Sequence, residues 1–216
     1  MRVEKAGYEI LTDISDGGVK EIEQIERIAR VCYKSEENIK PDGDSAKKMI
    51  KALIRNGHLA MLEHSVLSVK FKVDRGVSHE LVRHRMASFA QESTRYCNYS
   101  SGKFGNELTF IQPLFWKDGA EQYKMWSKSC SDAEESYLKL IQLGAQPQEA
   151  RSVLPNSLKT EITVTANYRE WRHIFDLRAV GVTGAPHPQM LEVMVPLLKD
   201  VAGKIPVVFD DLVEKL

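Results

Sequence analysis

The sequence lacks any uninterrupted run of about eighteen apolar residues, and the absence of such a run argues against a membrane-spanning helix. The first ten residues, MRVEKAGYEI, carry too many charges for the apolar core of a signal peptide. We therefore predict a cytoplasmic protein with no membrane partner. Apolar residues make up 43% of the chain and charged residues 28%, as in ordinary globular proteins.

Cysteine is scarce, with three residues at Cys32, Cys97 and Cys130 and no CxxC pair among them. An odd number of widely spaced cysteines favours reduced thiols over a disulfide framework or a zinc knuckle. The histidines in the first half of the chain form no HxxxH or HExxH pair. We predict no metal site.

Net charge is also absent, because thirty basic residues balance thirty acidic ones. A general nucleic-acid binder usually has a basic excess, so no nucleic-acid partner is predicted. Arginines nevertheless cluster in two regions that contain almost no lysine. Arginine is preferred where phosphate or carboxylate is bound by two parallel hydrogen bonds. The members of the two clusters are Arg75, Arg83, Arg85, Arg95 and Arg151, Arg169, Arg172, Arg178.

Hydrophobic periodicity predicts an α+β fold in which an antiparallel sheet packs against several helices. Alternating residues predict strands over 67–73, 108–113 and 161–166. Apolar residues spaced by three and four predict helices over 18–34, 44–57, 119–143, 147–153, 169–178 and 188–203. We expect Pro196 to interrupt the last of these. No linker divides the chain, so residues 1–216 are predicted to form a single domain, its core completed in part by other subunits.

The segment from Arg83 to Tyr96 contains the densest group of chemically useful side chains. We expect Ser78 to cap a short helix over 79–87 that presents Arg83, His84 and Arg85, with a polar loop after it. Charge-assisted hydrogen bonds from such a group contribute roughly 1.5–3 kcal/mol each, which suits a phosphate monoester. Spacing alone leaves open a solvated basic helix with surface ion pairs, which contribute only about 0–1 kcal/mol.

The motif RHRxxS, followed by SxRY, resembles the signature of flavin-dependent thymidylate synthases. Further segments similar to that family are the GHxxxxEH element at 57–64, ARxxLP at 150–155, NxR at 167–169 and LR at 177–178. The resemblance implies the fold of that family and a homotetramer with active sites where subunits meet. It also implies that dUMP is converted to dTMP with 5,10-methylenetetrahydrofolate as carbon donor and with FAD, reduced by NADPH, as hydride donor.

Site residues follow from the resemblance position by position. The residues implied to contact FAD are His58, Ala60, Arg83, His84, Arg85, Gln91, Asn167, Tyr168, Arg169 and His173. Those implied to contact dUMP are Glu80, Arg83, Gln91, Glu92, Ser93, Thr94, Arg95, Arg151 and Arg178. Arg178 is the expected catalytic residue, because a cation beside the pyrimidine favours its ionised form and raises electron density at C5.

Ser93 has two possible roles. A serine nucleophile needs a base within hydrogen-bond reach, and the sequence does not show whether His84 approaches it. We favour dUMP binding for Ser93, with no covalent bond between enzyme and substrate.

The chain departs from the family pattern at four places. The loop has Gln91-Glu92 where Glu-Gln is frequent, Glu80 replaces a common amide, and Ala60 replaces a common hydroxyl. Residues 181–185 form an apparent insertion before His187. The alternatives are a degenerate member that binds FAD or nucleotide without turnover, and a non-catalytic nucleotide-binding module.

Overall fold

The structure is a computed structural model that describes residues 1–216, except for the side chain of Lys103. It has the predicted α+β architecture, with an antiparallel sheet and helices packed against it. The strands are β1 Arg2–Glu4, β2 Gly7–Ile10, β3 Val66–Asp74, β4 Ser88–Gln91, β5 Thr109–Ile111 and β6 Lys159–Asn167. The α-helices are α1 Val19–Val31, α2 Asp44–Arg55, α3 Arg75–Leu81, α4 Glu121–Gln142, α5 Pro147–Ala150, α6 Tyr168–Phe175, α7 Pro188–Lys204 and α8 Asp210–Val213.

The main sheet has four strands in the order β2-β3-β6-β4. Its two long strands run antiparallel: the N–H of Tyr168 donates to the carbonyl of Ser65, and that of Arg75 to the carbonyl of Leu158. Side chains alternate between buried and half-buried along both strands, which is the period that the sequence predicts. A second sheet pairs β1 with β5 in parallel, a pairing that three-residue strands are too short to reveal in a sequence.

By density of contacts the chain divides into two compact units, and the single-domain expectation stays a prediction. The first unit comprises residues 1–7, 71–83 and 89–163, and the second comprises residues 8–70, 84–88 and 164–216. In the first unit one face of α4 supplies Cys130 and Tyr137 to a core that includes Phe110 and Leu158. This is the aromatic stripe predicted for 119–143.

The core of the second unit forms around α1, α2, α6 and α7. Ile22, Ile25 and Ile50 are fully buried, as the helical spacing in the sequence predicts. Trp171 of α6 is also fully buried, and its indole N–H donates to the carbonyl of Leu67 at 2.9 Å. This bond satisfies the one polar group of the indole and fixes α6, which carries several predicted site residues, against β3.

The helix before the RHR motif is displaced from its predicted position. Asp74, not Ser78, is the N-cap, because its carboxylate accepts a hydrogen bond from the N–H of Val77 at 2.7 Å. Ser78 lies inside α3 and donates its hydroxyl to the carbonyl of Arg75. The prediction of a helix over 79–87 is therefore wrong, and residues 83–85 lie in the turn that follows α3.

The predicted interruption at Pro196 is also wrong, since α7 continues through it. A proline inside a helix costs about 3 kcal/mol. Residues on both sides of it, Val193, Met194, Leu197 and Leu198 among them, are buried, and their packing offsets that cost. No helix in the described part of the chain is both long and apolar enough to cross a membrane.

Candidate active site

The second unit contains an open pocket of about 530 Å³ beside the start of α6. Asn167 caps this helix by accepting a hydrogen bond from the N–H of Glu170 at 2.9 Å. Because the strand ends and the helix begins at the same point, residues of the predicted NxR element face one pocket. Its lining residues are Leu59, Glu63, Met86, Asn167, Arg169, Glu170, Arg172, His173 and Asp176. Three of the predicted FAD contacts, Asn167, Arg169 and His173, are among them.

The two arginines of this pocket are held differently. Arg169 pairs with Glu63 at 2.5 Å, but about half of each side chain is exposed. Such a pair contributes only about 0–1 kcal/mol, so a ligand anion could replace the carboxylate. Arg172 is buried and donates two parallel hydrogen bonds to Asp211, both at 2.7 Å, as well as one to the carbonyl of Val208. Arg172 therefore stabilises the fold, whereas Arg169 is available to a ligand.

A buried histidine and a catalytic candidate meet near this pocket, still within the second unit. His84 is 5% exposed, and its Nε2 accepts a hydrogen bond from Nε of Arg178 at 3.1 Å. Arg178 lies in the π-helical turn Asp176–Val180 that continues α6, and such turns are frequent at functional sites. Burial, followed by the charges of Arg178 and His173, lowers the pKa of His84 to about 4. His84 is therefore neutral at physiological pH.

Glu170 completes this cluster and was not identified from the sequence. Its Oε1 lies 3.7 Å from Nδ1 of His84, and the ring of His173 packs edge-on against that of His84 at 6.0 Å. Burial raises the pKa of Glu170. The sequence feature that could have identified Glu170 is its position three residues before His173, because this spacing places both side chains on one face of a helix.

One ligand atom from each of His84, Glu170 and His173 lies within 4.8 Å of the others, a spacing that could hold a metal ion. Arg178, however, donates to Nε2 of His84. A neutral imidazole has a single lone pair, so His84 has none left for a metal while this bond is made. The absence of a metal site stays a prediction.

The predicted dUMP loop lies in the first unit, where its first two side chains are already engaged. Gln91 donates to the hydroxyls of Ser78 at 2.9 Å and Thr160 at 3.2 Å. Glu92 accepts hydrogen bonds from the hydroxyl of Tyr99 at 2.9 Å and from the ammonium of Lys159 at 3.0 Å. In this arrangement the unusual Gln-Glu order is accommodated by contacts within the protein.

The rest of the loop brings together hydroxyls and arginines. The guanidinium of Arg151 donates to the hydroxyl of Thr94 at 3.4 Å, so Arg151 contacts the loop of its own chain. Arg95 donates through Nε to Gln148 at 3.3 Å. The hydroxyl of Ser93 accepts a hydrogen bond from the backbone N–H of Arg95 at 3.3 Å, and this partner is not a base.

The remaining predicted residues divide between the units. Glu80, half-buried, and Arg83, exposed, belong to the first unit, whereas Arg85, His58 and Ala60 are exposed in the second. Tyr168 of the second unit is buried, and burial raises the pKa of its hydroxyl, with a smaller contribution from Glu21. This burial fits a residue that contributes through its backbone.

A solved structure shares this fold over its whole length. It is a UMP/dUMP methylase, PolB from Streptomyces cacaoi, bound with 5-Br dUMP. The TM-score is 0.75 at 21% sequence identity, and the alignment covers 100% of this chain and 99% of that one. This chain therefore has the same fold as the PolB structure.

The sequence comparisons are more specific. A family model described as thymidylate synthase complementing protein matches residues 19–207. A flavin-dependent thymidylate synthase of Corynebacterium aurimucosum is 30% identical over 215 residues, covering 92% of this chain and 83% of that protein. A flavin-dependent thymidylate synthase of Thermococcus onnurineus is 38% identical over 124 residues, which cover 57% of this chain and 50% of that protein. The chain belongs to the thymidylate synthase complementing protein family, a family of flavin-dependent thymidylate synthases, as the motifs predict, and it is an enzyme.

Proposed function

We propose that this enzyme converts dUMP to dTMP by reductive methylation, with 5,10-methylenetetrahydrofolate as carbon donor and FAD reduced by NADPH as hydride donor. The observation that carries the proposal is the pairing of Arg178 with the buried, neutral His84, next to a pocket lined by three predicted flavin contacts. Family membership and the 5-Br dUMP bound to the PolB structure support a uridine monophosphate as substrate.

The residues around the second-unit pocket fit part of a flavin dinucleotide. Small-molecule sites have volumes of roughly 300–1,000 Å³, and this pocket is within that range. Asn167 and His173 offer hydrogen-bonding groups, and Arg169 can exchange its exposed partner Glu63 for a ligand phosphate. FAD held by these residues would supply the hydride and would take part in carrying the methylene carbon. The exposed His58, Ala60, Arg83 and Arg85, with Gln91 and the backbone of Tyr168, complete the proposed set.

Arg178 acts on the pyrimidine in this proposal. Its guanidinium remains charged at any relevant pH, and the negative charge that develops as C5 becomes nucleophilic is stabilised by it. One of its five N–H groups is used by His84, which orients the planar group without neutralising it. A carboxylate in place of His84 would reduce the positive field at the substrate.

The phosphate and sugar of dUMP are assigned to the other arginine cluster. Arg151, which donates to Thr94, and Arg95, which donates to Gln148, are hydrogen-bond donors of the kind that binds a phosphate monoester. Glu80, Arg83, Gln91 and Glu92 are proposed to border it. Ser93 is proposed to bind dUMP and not to attack it, which is supported by its hydrogen bond with the backbone of Arg95.

A homotetramer with shared active sites is part of the same proposal. Met86 and Tyr96, which neighbour predicted site residues in the sequence, are each 76% exposed. Large apolar side chains exposed beside functional residues are typical of surfaces that a partner covers. We propose that subunits of a cytoplasmic homotetramer cover them and together complete each site.

The decisive experiment is dTMP formation from dUMP and methylenetetrahydrofolate with NADPH, on flavin-stripped protein with and without added FAD. Product that requires both FAD and NADPH supports the proposal. FAD binding without product would indicate the degenerate member, and nucleotide binding without flavin binding would indicate the non-catalytic module.

A further inference from the structure

We propose that Glu170 is a positioning residue that fixes the tautomer of His84 and, through it, the orientation of the Arg178 guanidinium. The consequence for turnover rests on the function proposed above for Arg178. The tautomer itself is a property of the free protein and can be tested without any substrate.

The argument starts from the number of protons that the three side chains can share. Arg178 is a donor only, so Nε2 of His84 must present its lone pair to the Nε–H of Arg178. A neutral imidazole carries its single proton on the other nitrogen, so the proton of His84 is on Nδ1. The carboxylate oxygen of Glu170 lies on that side of the ring, 3.7 Å from Nδ1. Glu170 thus favours the tautomer that Arg178 requires.

The opposite tautomer would break the arrangement. With the proton on Nε2, two N–H groups of His84 and Arg178 would face each other at the observed 3.1 Å, and the lone pair of Nδ1 would face the carboxylate oxygen. Both contacts would then be repulsive in a buried setting, because the side chain of His84 is 4% exposed and that of Glu170 12%.

The charges around the imidazole are consistent with this role. His84 faces Arg178 and His173 on one hand and Glu170 on the other, and burial together with Arg178 keeps the imidazole neutral. Within this cluster Glu170 supplies the carboxylate, 3.7 Å from Nδ1 of His84. A doubly protonated His84 could not accept from Arg178, so the neutral form is necessary as well as favoured.

The present 3.7 Å separation is longer than a hydrogen bond, and closing it requires a movement of roughly 0.7 Å by the Glu170 side chain. Hydrogen bonds of catalytic groups are often long in the free enzyme and shorten when substrate binds.

The direct test uses protein labelled with 15N at histidine, since the shifts of the two ring nitrogens identify the tautomer. Disappearance of one signal set in His84→Gln assigns it. We expect the wild-type signal at neutral pH to show a proton on Nδ1, and Glu170→Ala to shift the population toward the Nε2-protonated form. A proton on Nε2 in the wild type, or an unchanged tautomer in Glu170→Ala, would overturn the proposal. Asp210→Asn, which removes one negative charge from another exposed part of the same unit, should leave the signal unchanged.

The kinetic test separates positioning from a structural contribution. We expect kcat for dTMP formation to fall at least about 10-fold in Glu170→Ala, with FAD content and the KM for dUMP within about 2-fold of wild type, as for other residues that orient a functional group. Glu170→Gln should recover part of the loss, because its amide oxygen still accepts from Nδ1–H. Unchanged kcat in Glu170→Ala, or loss of FAD in step with activity, would contradict a positioning role.

The two tests also separate the proposals from each other. If the wild-type protein makes no dTMP while the NMR outcome is as expected, the function proposed above fails and the tautomer assignment stands. If Zn²⁺ shifts both the His84 and His173 signals at stoichiometric amounts, the cluster is a metal site and the proposal for Glu170 fails.

Discussion

The side chains of Arg178 and His84 form a donor–acceptor pair in which neither can take the part of the other. The guanidinium is always charged and only donates, whereas the imidazole is kept neutral by burial and accepts. At the scale of single residues this asymmetry gives two predictions, and Ser93 gives a third.

Replacing Arg178 should stop chemistry without releasing the cofactor. We expect kcat in Arg178→Ala to fall on the order of 10²–10³-fold, because a charge stabiliser at the reacting ring is lost. Arg178→Lys should recover little of it, since a lysine has no planar fork to span His84 and the substrate. Flavin absorbance of the purified variants provides the control and should match wild type. Turnover near the wild-type rate in either variant would contradict the proposed role.

His84 should make folding stability depend on pH. Its folded pKa of about 4 is below the ordinary value of 6.5, so the unfolded state binds more protons between these values. The contribution of His84 to the free energy of unfolding is therefore fully present above about pH 6.5. It falls by roughly 2–3 kcal/mol as the pH is lowered toward 4.

Urea unfolding at pH 7.5 and 4.5, at one protein concentration, measures this difference. His84→Gln should flatten the dependence by about that amount, whereas His79→Gln, at an exposed position, should not. If the free energy of unfolding changes equally between the two pH values in the wild type and in His84→Gln, other groups cause the pH dependence.

Ser93→Ala distinguishes a binding serine from a nucleophile. Loss of one hydrogen bond costs about 1 kcal/mol, so the KM for dUMP should rise about fivefold while turnover remains measurable. Steady-state kinetics and dUMP titration of the same variant distinguish the two roles. Complete loss of turnover with dUMP affinity intact would instead indicate nucleophilic attack by Ser93.

At the scale of secondary-structure elements, a buried network of ionic and hydrogen-bonded side chains links α1 to α2. Glu26 is fully buried, accepts from Nε and Nη2 of Arg30 at 2.8 and 2.5 Å, and accepts from the hydroxyl of Ser45 at 2.9 Å. Removing one partner of such a network leaves the other charge buried without compensation.

We therefore expect Glu26→Ala to lower the free energy of unfolding by about 3–5 kcal/mol. The chain offers a matched control in α4, where Lys128 and Asp132 have the same four-residue spacing but are 68% and 60% exposed. Asp132→Ala should cost less than about 1 kcal/mol. Chemical denaturation of both variants gives the comparison, and equal losses would mean that burial does not determine the contribution of these pairs.

Elements also show where local sequence signals fail. The apolar stripe of α4 and the alternating pattern of β3 each extend over many residues. The sequence therefore predicted a helix and a strand at these positions, with small errors in where each begins and ends. The start of α3 was predicted wrongly, with Ser78 as its cap; the N-cap is Asp74, because its carboxylate reaches the N–H of Val77. At Pro196 the burial of neighbouring residues in the tertiary core outweighed a strong local signal.

At the scale of the whole molecule, the proposed homotetramer gives the remaining prediction. Light scattering coupled to gel filtration should give a mass about four times the 24.5 kDa of the chain. Met86→Lys should lower that mass, because a charge would then replace an exposed apolar side chain proposed to be covered. A monomeric wild-type protein with full activity would exclude sites shared between subunits.

The sequence by itself determined the family, because RHRxxS, SxRY and the later short motifs fix residue types at set spacings that a chain retains whatever its tertiary contacts. It also determined the α+β class, since periods of two and of three to four residues report which side chains face a core. It did not identify Glu170, and it could not show that His84 is neutral.

Those features were decided by the tertiary structure. His84 and Arg178 are 94 positions apart, and their contact depends on β6, α6 and the π-helical turn after it. The lowered pKa of His84 arises from burial and from charges that distant parts of the chain supply. Periodicity reports that a residue is buried but not which residues bury it, and for this site the identity of those neighbours determines the chemistry.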